Sequence, residues 1–97
     1  MPIMMNVNSA GKKQAYRHRQ EIIYTILNAA QDPKTRIRLV YESMISWEQC
    51  SEYLEELMNR GLLQHNQFDD TYFATARGLR FIELYERLRD EFDHDDT

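Results

Sequence analysis

The chain has 97 residues, 42% hydrophobic and 11% aromatic, with a net charge of −4 and a single cysteine. That length holds one modest core and not two, the apolar content exceeds that of disordered chains, and one cysteine excludes an intrachain disulfide, which at this size fits a reducing, cytoplasmic setting. No apolar run nears the roughly 18 residues that span a bilayer, and Met1 to Val7 lacks the basic-then-apolar order of a secretion signal, so a soluble protein without membrane contact is expected.

Residues 1–12 mix Met, Asn, Ser and Gly without periodicity and read as a flexible N-terminal arm, with one folded domain expected over 13–92. From Gln14 to Gln31, Ile22, Ile23, Ile26, Leu27 and Ala30 recur at helical spacing and predict a first amphipathic helix with basic opening turns. Asp32-Pro33 ends it. Thr35 can cap a second helix of about ten residues whose expected buried face is Ile37, Val40, Tyr41 and Met44.

Ser46 and Gln49 stand at the spacing of a capping box, with Ile45 and Cys50 at the two staple positions around it. A third helix follows to Arg60, carrying Trp47, Cys50, Tyr53, Leu54, Leu57 and Met58 on one side, and Gly61 supplies the left-handed residue that stops it. Leu62 to Gln64, a turn-like Asn66 to Asp70, and Thr71 to Ala74 predict a short hairpin. Thr75 then caps a fourth helix expected over 75–92, roughly 27 Å long at 1.5 Å per residue, and 93–97 is left as an acidic tail. Phe81, Tyr85, Leu88 and Phe92, spaced four, three and four, form a narrow stripe of the coiled-coil kind. Its far end has no partner in so small a domain, so a homodimer joined along this stripe is expected, with a ligand pocket lined by the same four residues as the alternative.

Helix, helix, capped helix, Gly, hairpin, helix is the order of a winged helix-turn-helix: mainly α, with a small β-hairpin wing and a long C-terminal dimerisation helix. The residues also resemble the small archaeal winged helix-turn-helix proteins. The resemblance lies in Arg19-Gln20-Glu21-Ile22-Ile23-Tyr24-Thr25-Ile26-Leu27, Thr35-Arg36-Ile37, Ile45-Ser46-Trp47 with Tyr53-Leu54, Arg60-Gly61-Leu62-Leu63, and Tyr72 through Gly78 leading to Phe81 and Tyr85; it runs from about Arg17 to Leu88. It implies a double-stranded-DNA-binding transcriptional regulator or chromatin-type protein that dimerises through its last helix. One departure stands out: where such proteins usually carry Lys on the outer face of the third helix, this chain has Glu48, Ser51, Glu52 and Glu55.

Charge is divided unevenly along the chain. Residues 1–45 carry Lys12, Lys13, Arg17, Arg19, Lys34, Arg36 and Arg38 against Glu21, Asp32 and Glu42, whereas residues 46–97 carry 5 basic side chains against 13 acidic ones. A phosphate-binding surface therefore draws on those seven basic residues, with His18 beside them; a plain solvated face is the alternative. Ser46, Trp47, Gln49 and Ser51, at the start of the third helix, are the candidates for reaching base edges in a major groove, although the cap claims Ser46 and Gln49 and the core claims Trp47. Glu48, Glu52, Glu55 and Asn59 share the outer face of that helix. One carboxylate there can accept from cytosine N4, but several repel a polyanion; the same face also fits an interaction module that docks a basic protein partner. The hairpin tip ends in Asp69-Asp70 with no Lys or Arg and reads as structural. His18, His65 and His94 fall on separate elements, and His94 among Asp93, Asp95 and Asp96 offers only adventitious metal contact. Without metal-ligand spacing, a phosphate loop or a nucleophile motif, no catalysis, metal or cofactor is expected.

Overall fold

A computed structural model describes residues 19–95 of the chain. The arm over 1–12, the expected helix start at Gln14, and Lys12, Lys13, Arg17 and His18 lie outside the described residues. Five helical or extended elements follow a first helix, α1 (residues 19–29): α2 (Arg36–Ser43), α3 (Trp47–Asn59), β1 (Leu63–Asn66), β2 (Thr71–Ala74) and α4 (Ala76–Asp95).

Local chemistry sets most of these boundaries. Thr35 caps α2 by accepting from the Arg38 amide, and Met44 ends it in the left-handed region at φ 56°. Ser46 and Gln49 form both halves of the capping box on α3: Ser46 Oγ accepts from the Gln49 amide at 3.0 Å, and Gln49 Oε1 accepts from the Ser46 amide at 3.2 Å. Gly61 leaves α3 at φ 75°, a conformation that costs Gly little and other residues more. Thr75 opens α4, its Oγ1 accepting from the Gly78 amide at 3.1 Å and donating to the Gly61 carbonyl at 2.7 Å.

The two strands pair antiparallel with Leu63 opposite Ala74 and His65 opposite Tyr72. Lys34 adds a single bridge on the other side of β2, exchanging backbone hydrogen bonds with Tyr72 at 3.0 and 2.7 Å. The amide of Ala74 reaches the carbonyl of Ala30 at 2.7 Å, so the hairpin is stitched to the end of α1 as well. Between these layers lies one core of Ile22, Ile26, Leu27 and Ala30 from α1, Leu39 from α2, Cys50, Leu54 and Leu57 from α3, with Leu63, Tyr72 and Ile82 closing it.

Three expectations are corrected. The inward residue of α2 is Leu39, with Val40 half-buried, while Ile37, Tyr41 and Met44 are exposed. Thr35 starts a helix of eight residues, short enough that a single side chain fills the space over α1 and α3, and the Ile37, Tyr41, Met44 spacing falls on the solvent side. The spacing places Trp47 on the core side of α3, but it is 51% exposed, because the first turn projects beyond the packed layer that begins at Cys50. Finally, α4 continues past Phe92 to Asp95, since neither Gly nor Pro stands between them.

Candidate nucleic-acid interface

Arg36, at the first position of α2, is the hub of the face formed by α2, α3 and the hairpin. Its Nη1 donates to Ser51 Oγ and its Nη2 to Tyr72 Oη, both at 3.1 Å, and its guanidinium lies over the Trp47 ring at 5.0 Å. The phenol oxygen of Tyr72 also raises the affinity of Arg36 for its proton, mainly through that hydrogen bond. Ser51 passes the contact on by donating to the Trp47 carbonyl at 3.0 Å. On the hairpin, the Tyr72 ring lies tilted by 31° against His65 with centroids 4.5 Å apart, and His65 Nε2 meets Asp70 Oδ1 at 2.7 Å. One guanidinium thus joins the start of α3 to the hairpin.

The hairpin turn is closed by its own polar groups. Asn66 Oδ1 accepts from the Phe68 amide at 2.9 Å, and Thr71 Oγ1 donates to Asp69 Oδ1 at 2.6 Å. Phe68 is left wholly exposed at the tip.

The basic residues expected to act together are separated. Arg36 and Arg38 share α2, and Arg38 pairs with Glu42 at 3.1 Å. Lys34 turns its ammonium onto the Ala29 carbonyl at 2.8 Å, at the end of α1, where a cation favours the helix dipole. Arg19 belongs elsewhere: it pairs with Glu56 and lies 5.5 Å from the Tyr53 ring, on a different face of α3 from the one Arg36 touches. Arg60 shares the same carboxylate at 3.1 Å. The two arginines hold the Glu56 carboxyl below the ordinary carboxylate value, the Arg19 hydrogen bond being the stronger cause.

Of the four residues expected to reach bases, Ser46 and Gln49 are engaged in the cap, and Trp47 and Ser51 turn toward Arg36 on the flank of α3. Glu48, Glu52, Glu55 and Asn59 are the exposed outer face. None of those three carboxylates forms an ion pair with another described residue. Cys50 is fully buried, and burial pushes its thiol pKa up, which leaves it a small apolar packing residue. No group of three or more His, Cys, Asp or Glu side chains suited to a metal occurs among the described residues.

The stripe on α4 divides into two parts. Tyr85 stacks on Tyr24 of α1 with centroids 4.7 Å apart, Tyr24 donates to Glu86 Oε2 at 2.6 Å, and Phe81 packs against the core. Phe81 and Tyr85 are thus half-buried, Tyr85 against α1 and Phe81 against the core, and each keeps part of its surface outward. Leu88 and Phe92, 57% and 66% exposed, extend beyond these contacts. Leu84, one turn earlier, is exposed with them; the sequence pattern hid it, because the stripe drawn through aromatic positions passes Leu84 by. Arg77 and Arg80 were also missed, although their spacing of three places both on one side of α4.

The profile of a winged helix-turn-helix family matches residues 16–92. The chain belongs to that winged helix-turn-helix family. No curated protein matches it significantly. Among solved structures, Sso10a-2, a DNA-binding protein from Sulfolobus solfataricus, is similar at 23% identity with a TM-score of 0.65, over 79% of this chain and 86% of that one. A mutant of MepR from S. aureus, bound to an oligodeoxyribonucleotide, is similar at 15% identity and a TM-score of 0.65, over 97% of this chain and 79% of that one. A MarR family transcription regulator is similar at 19% identity with a TM-score of 0.60, covering 99% and 71% of the two chains. At these identities the likeness is one of fold. In this winged helix-turn-helix, α2 and α3 are the helix-turn-helix pair and β1–β2 is the wing.

Proposed function

We propose that this chain is a homodimeric DNA-binding winged-helix protein acting as a transcriptional regulator, not an enzyme, that works in the cytoplasm. The observation that carries the reading is the Arg36 hub, which holds the first turn of α3 and the wing as one unit with the outer face of α3 uncovered. Rigid coupling of the two elements fixes how they meet a duplex, and pre-organisation lowers the ordering cost of binding. Similarity to Sso10a-2 and to an oligonucleotide-bound MepR supports the same reading.

In this reading, phosphates are held by Arg38, Lys34 and the basic segment with Lys12, Lys13 and Arg17, while Arg36 and Ser51 set the orientation of α3. The first turn, with Ser46, Trp47 and Gln49, approaches the bases. Glu48, Glu52 and Glu55 make non-specific affinity low, since each opposes phosphate approach, and favour sites that offer cytosine amino groups. Leu88 and Phe92 form the contact between copies, with Tyr85 behind them; the cleft they line with Tyr24 gives the partner helix an apolar seat.

Electrophoretic mobility shifts over a salt series, on random and on selected duplexes, test the proposal. Binding that weakens linearly in log salt is expected, and no shift even at about 50 mM salt overturns it.

A further inference from the structure

Two clefts flank α1 where it crosses α4. Glu21, Tyr24 and Thr25 face one, and Arg19 and Ile23 face the other. The second, of 740 Å³, has an apolar floor of Ile23, Leu57, Leu62, Phe81 and Leu84. Around that floor stand Arg19, Arg60, Arg77 and Arg80, with Glu56 the one acidic residue lining it among the described residues. Arg19 and Arg60 are both spent on Glu56. Arg77 and Arg80 are exposed and form no ion pair with another described residue. In a chain of net charge −4, this is a local excess of cations set beside an apolar surface that lies open among the described residues.

We propose that this cleft binds a small amphipathic organic anion: an aliphatic or aromatic carboxylate whose apolar body lies on Ile23, Leu62, Phe81 and Leu84 and whose head is held by Arg77 and Arg80. Small-molecule sites combine apolar walls with a few polar groups, and this open cleft sets exposed Arg77 and Arg80 beside an apolar floor. Guanidinium pairs match carboxylate geometry through paired N–H donors. An inorganic anion would satisfy the arginines and leave the floor wet, whereas a neutral apolar molecule would cover the floor and leave the cations unused. A nucleic-acid backbone likewise brings charge without apolar area. The second copy has its seat in the other cleft, with Leu88 and Phe92. The assignment does not rest on DNA binding: none of the residues lining the cleft lies on the wing strands, and of the outer face of α3 only Asn59, at its last turn, reaches it.

An occupant would touch α3 and α4 together. Asn59 and Arg60 close α3, Leu62 leads into β1, and Arg77 and Arg80 belong to the opening turns of α4.

The test uses the full chain and three probes: octanoate, the neutral octanamide of equal length, and inorganic phosphate. Titrations are followed by amide NMR shifts, with sedimentation under the same conditions. Octanoate is expected to move signals of Ile23, Phe81 and Leu84, to bind more tightly than octanamide or phosphate, and to lose about tenfold or more in affinity in the Arg77→Ala, Arg80→Ala double variant. Leu84→Glu, which places a like charge on the exposed edge of the floor, should weaken it as well and serves if the double variant melts early. Equal binding of octanamide, unchanged affinity in both variants, or shifts centred on Tyr85, Leu88 and Phe92 would each overturn the proposal. So would saturation by phosphate at the same concentration, or a fall in sedimenting mass on adding octanoate, which would make the cleft a contact between copies.

Discussion

Arg36 and Tyr72, 36 positions apart in the chain, meet at 3.1 Å through Nη2 and the phenol oxygen. That contact, with the one to Ser51, joins the wing to the helix-turn-helix. Replacing Arg36 by Leu should cost about 1–3 kcal/mol in urea unfolding, the range for losing hydrogen bonds to a charged group, and change Trp47 emission. Arg36→Lys should recover little, because one ammonium cannot reproduce the planar fork toward two acceptors. Full recovery by Lys would show that charge alone matters there.

Gly78 is forced by a close approach. A Cβ at that position would stand 2.2 Å from the Leu62 carbonyl oxygen, a backbone atom that cannot swing aside. Gly78→Ala should therefore destabilise by about 1–3 kcal/mol as overpacking does, despite the roughly 1 kcal/mol that Ala normally gains over Gly inside a helix. Gly61→Ala meets no atom within 4 Å and should lose only about 1 kcal/mol, from its left-handed backbone. Thermal melts of the two variants separate the mechanisms.

Acid should weaken the fold partly through Glu56. Its carboxyl has a lower pKa in the folded chain, so it stabilises above its unfolded value of about 4.3 and loses that contribution as pH falls through the lower folded value. Arg19 and Arg60 remain largely in water, which limits the effect to under about 1 kcal/mol. Stability measured from neutral pH downward should fall more for wild type than for Glu56→Gln below about pH 4.5, with the two curves converging at the acid end. Parallel curves would remove Glu56 from the account.

Reversing Glu48, Glu52 and Glu55 to Lys should tighten non-specific duplex binding and steepen its salt slope by up to about three. Because the three side chains make no internal ion pair among the described residues, melting temperature should hardly move. Tighter duplex binding with sequence preference and biological activity both intact would argue that the face serves something other than DNA.

Leu88→Asp should yield monomers in light scattering while leaving the core intact, since Leu88 lies beyond the level covered by α1. A wild-type chain already monomeric at the same concentration would end the dimer proposal.

Much of the fold was legible because its punctuation is local. Ser46-Gln49, Gly61, and Thr75 with Gly78 each act through bonds within a few residues or through a fixed backbone angle, and all appear where the sequence puts them. Burial was less legible. Ile37, Tyr41 and Met44 have the spacing of a packed face, but which side of a two-turn helix faces the core is decided by its neighbours, and Leu39 occupies it. The candidate site was least legible. Arg19 and Arg36 look alike in a list of basic residues, yet α1 delivers one to Glu56 and α2 delivers the other to Ser51 and Tyr72. No spacing rule reports such long-range partners.

The junction between α3 and α4 has a mechanical consequence. Thr75 grips the Gly61 carbonyl, its amide grips that of Leu62, and Gly78 rests against the same peptide. The root of α4 is thereby clamped to the end of α3, and from that root a 20-residue rod extends, about 30 Å at 1.5 Å per residue. Whatever grips the tip of the rod holds α3 at a set distance and angle. The clamp makes α4 a gauge as well as a handle: lengthening the rod by a full turn should change the spacing between two joined domains while leaving each one folded.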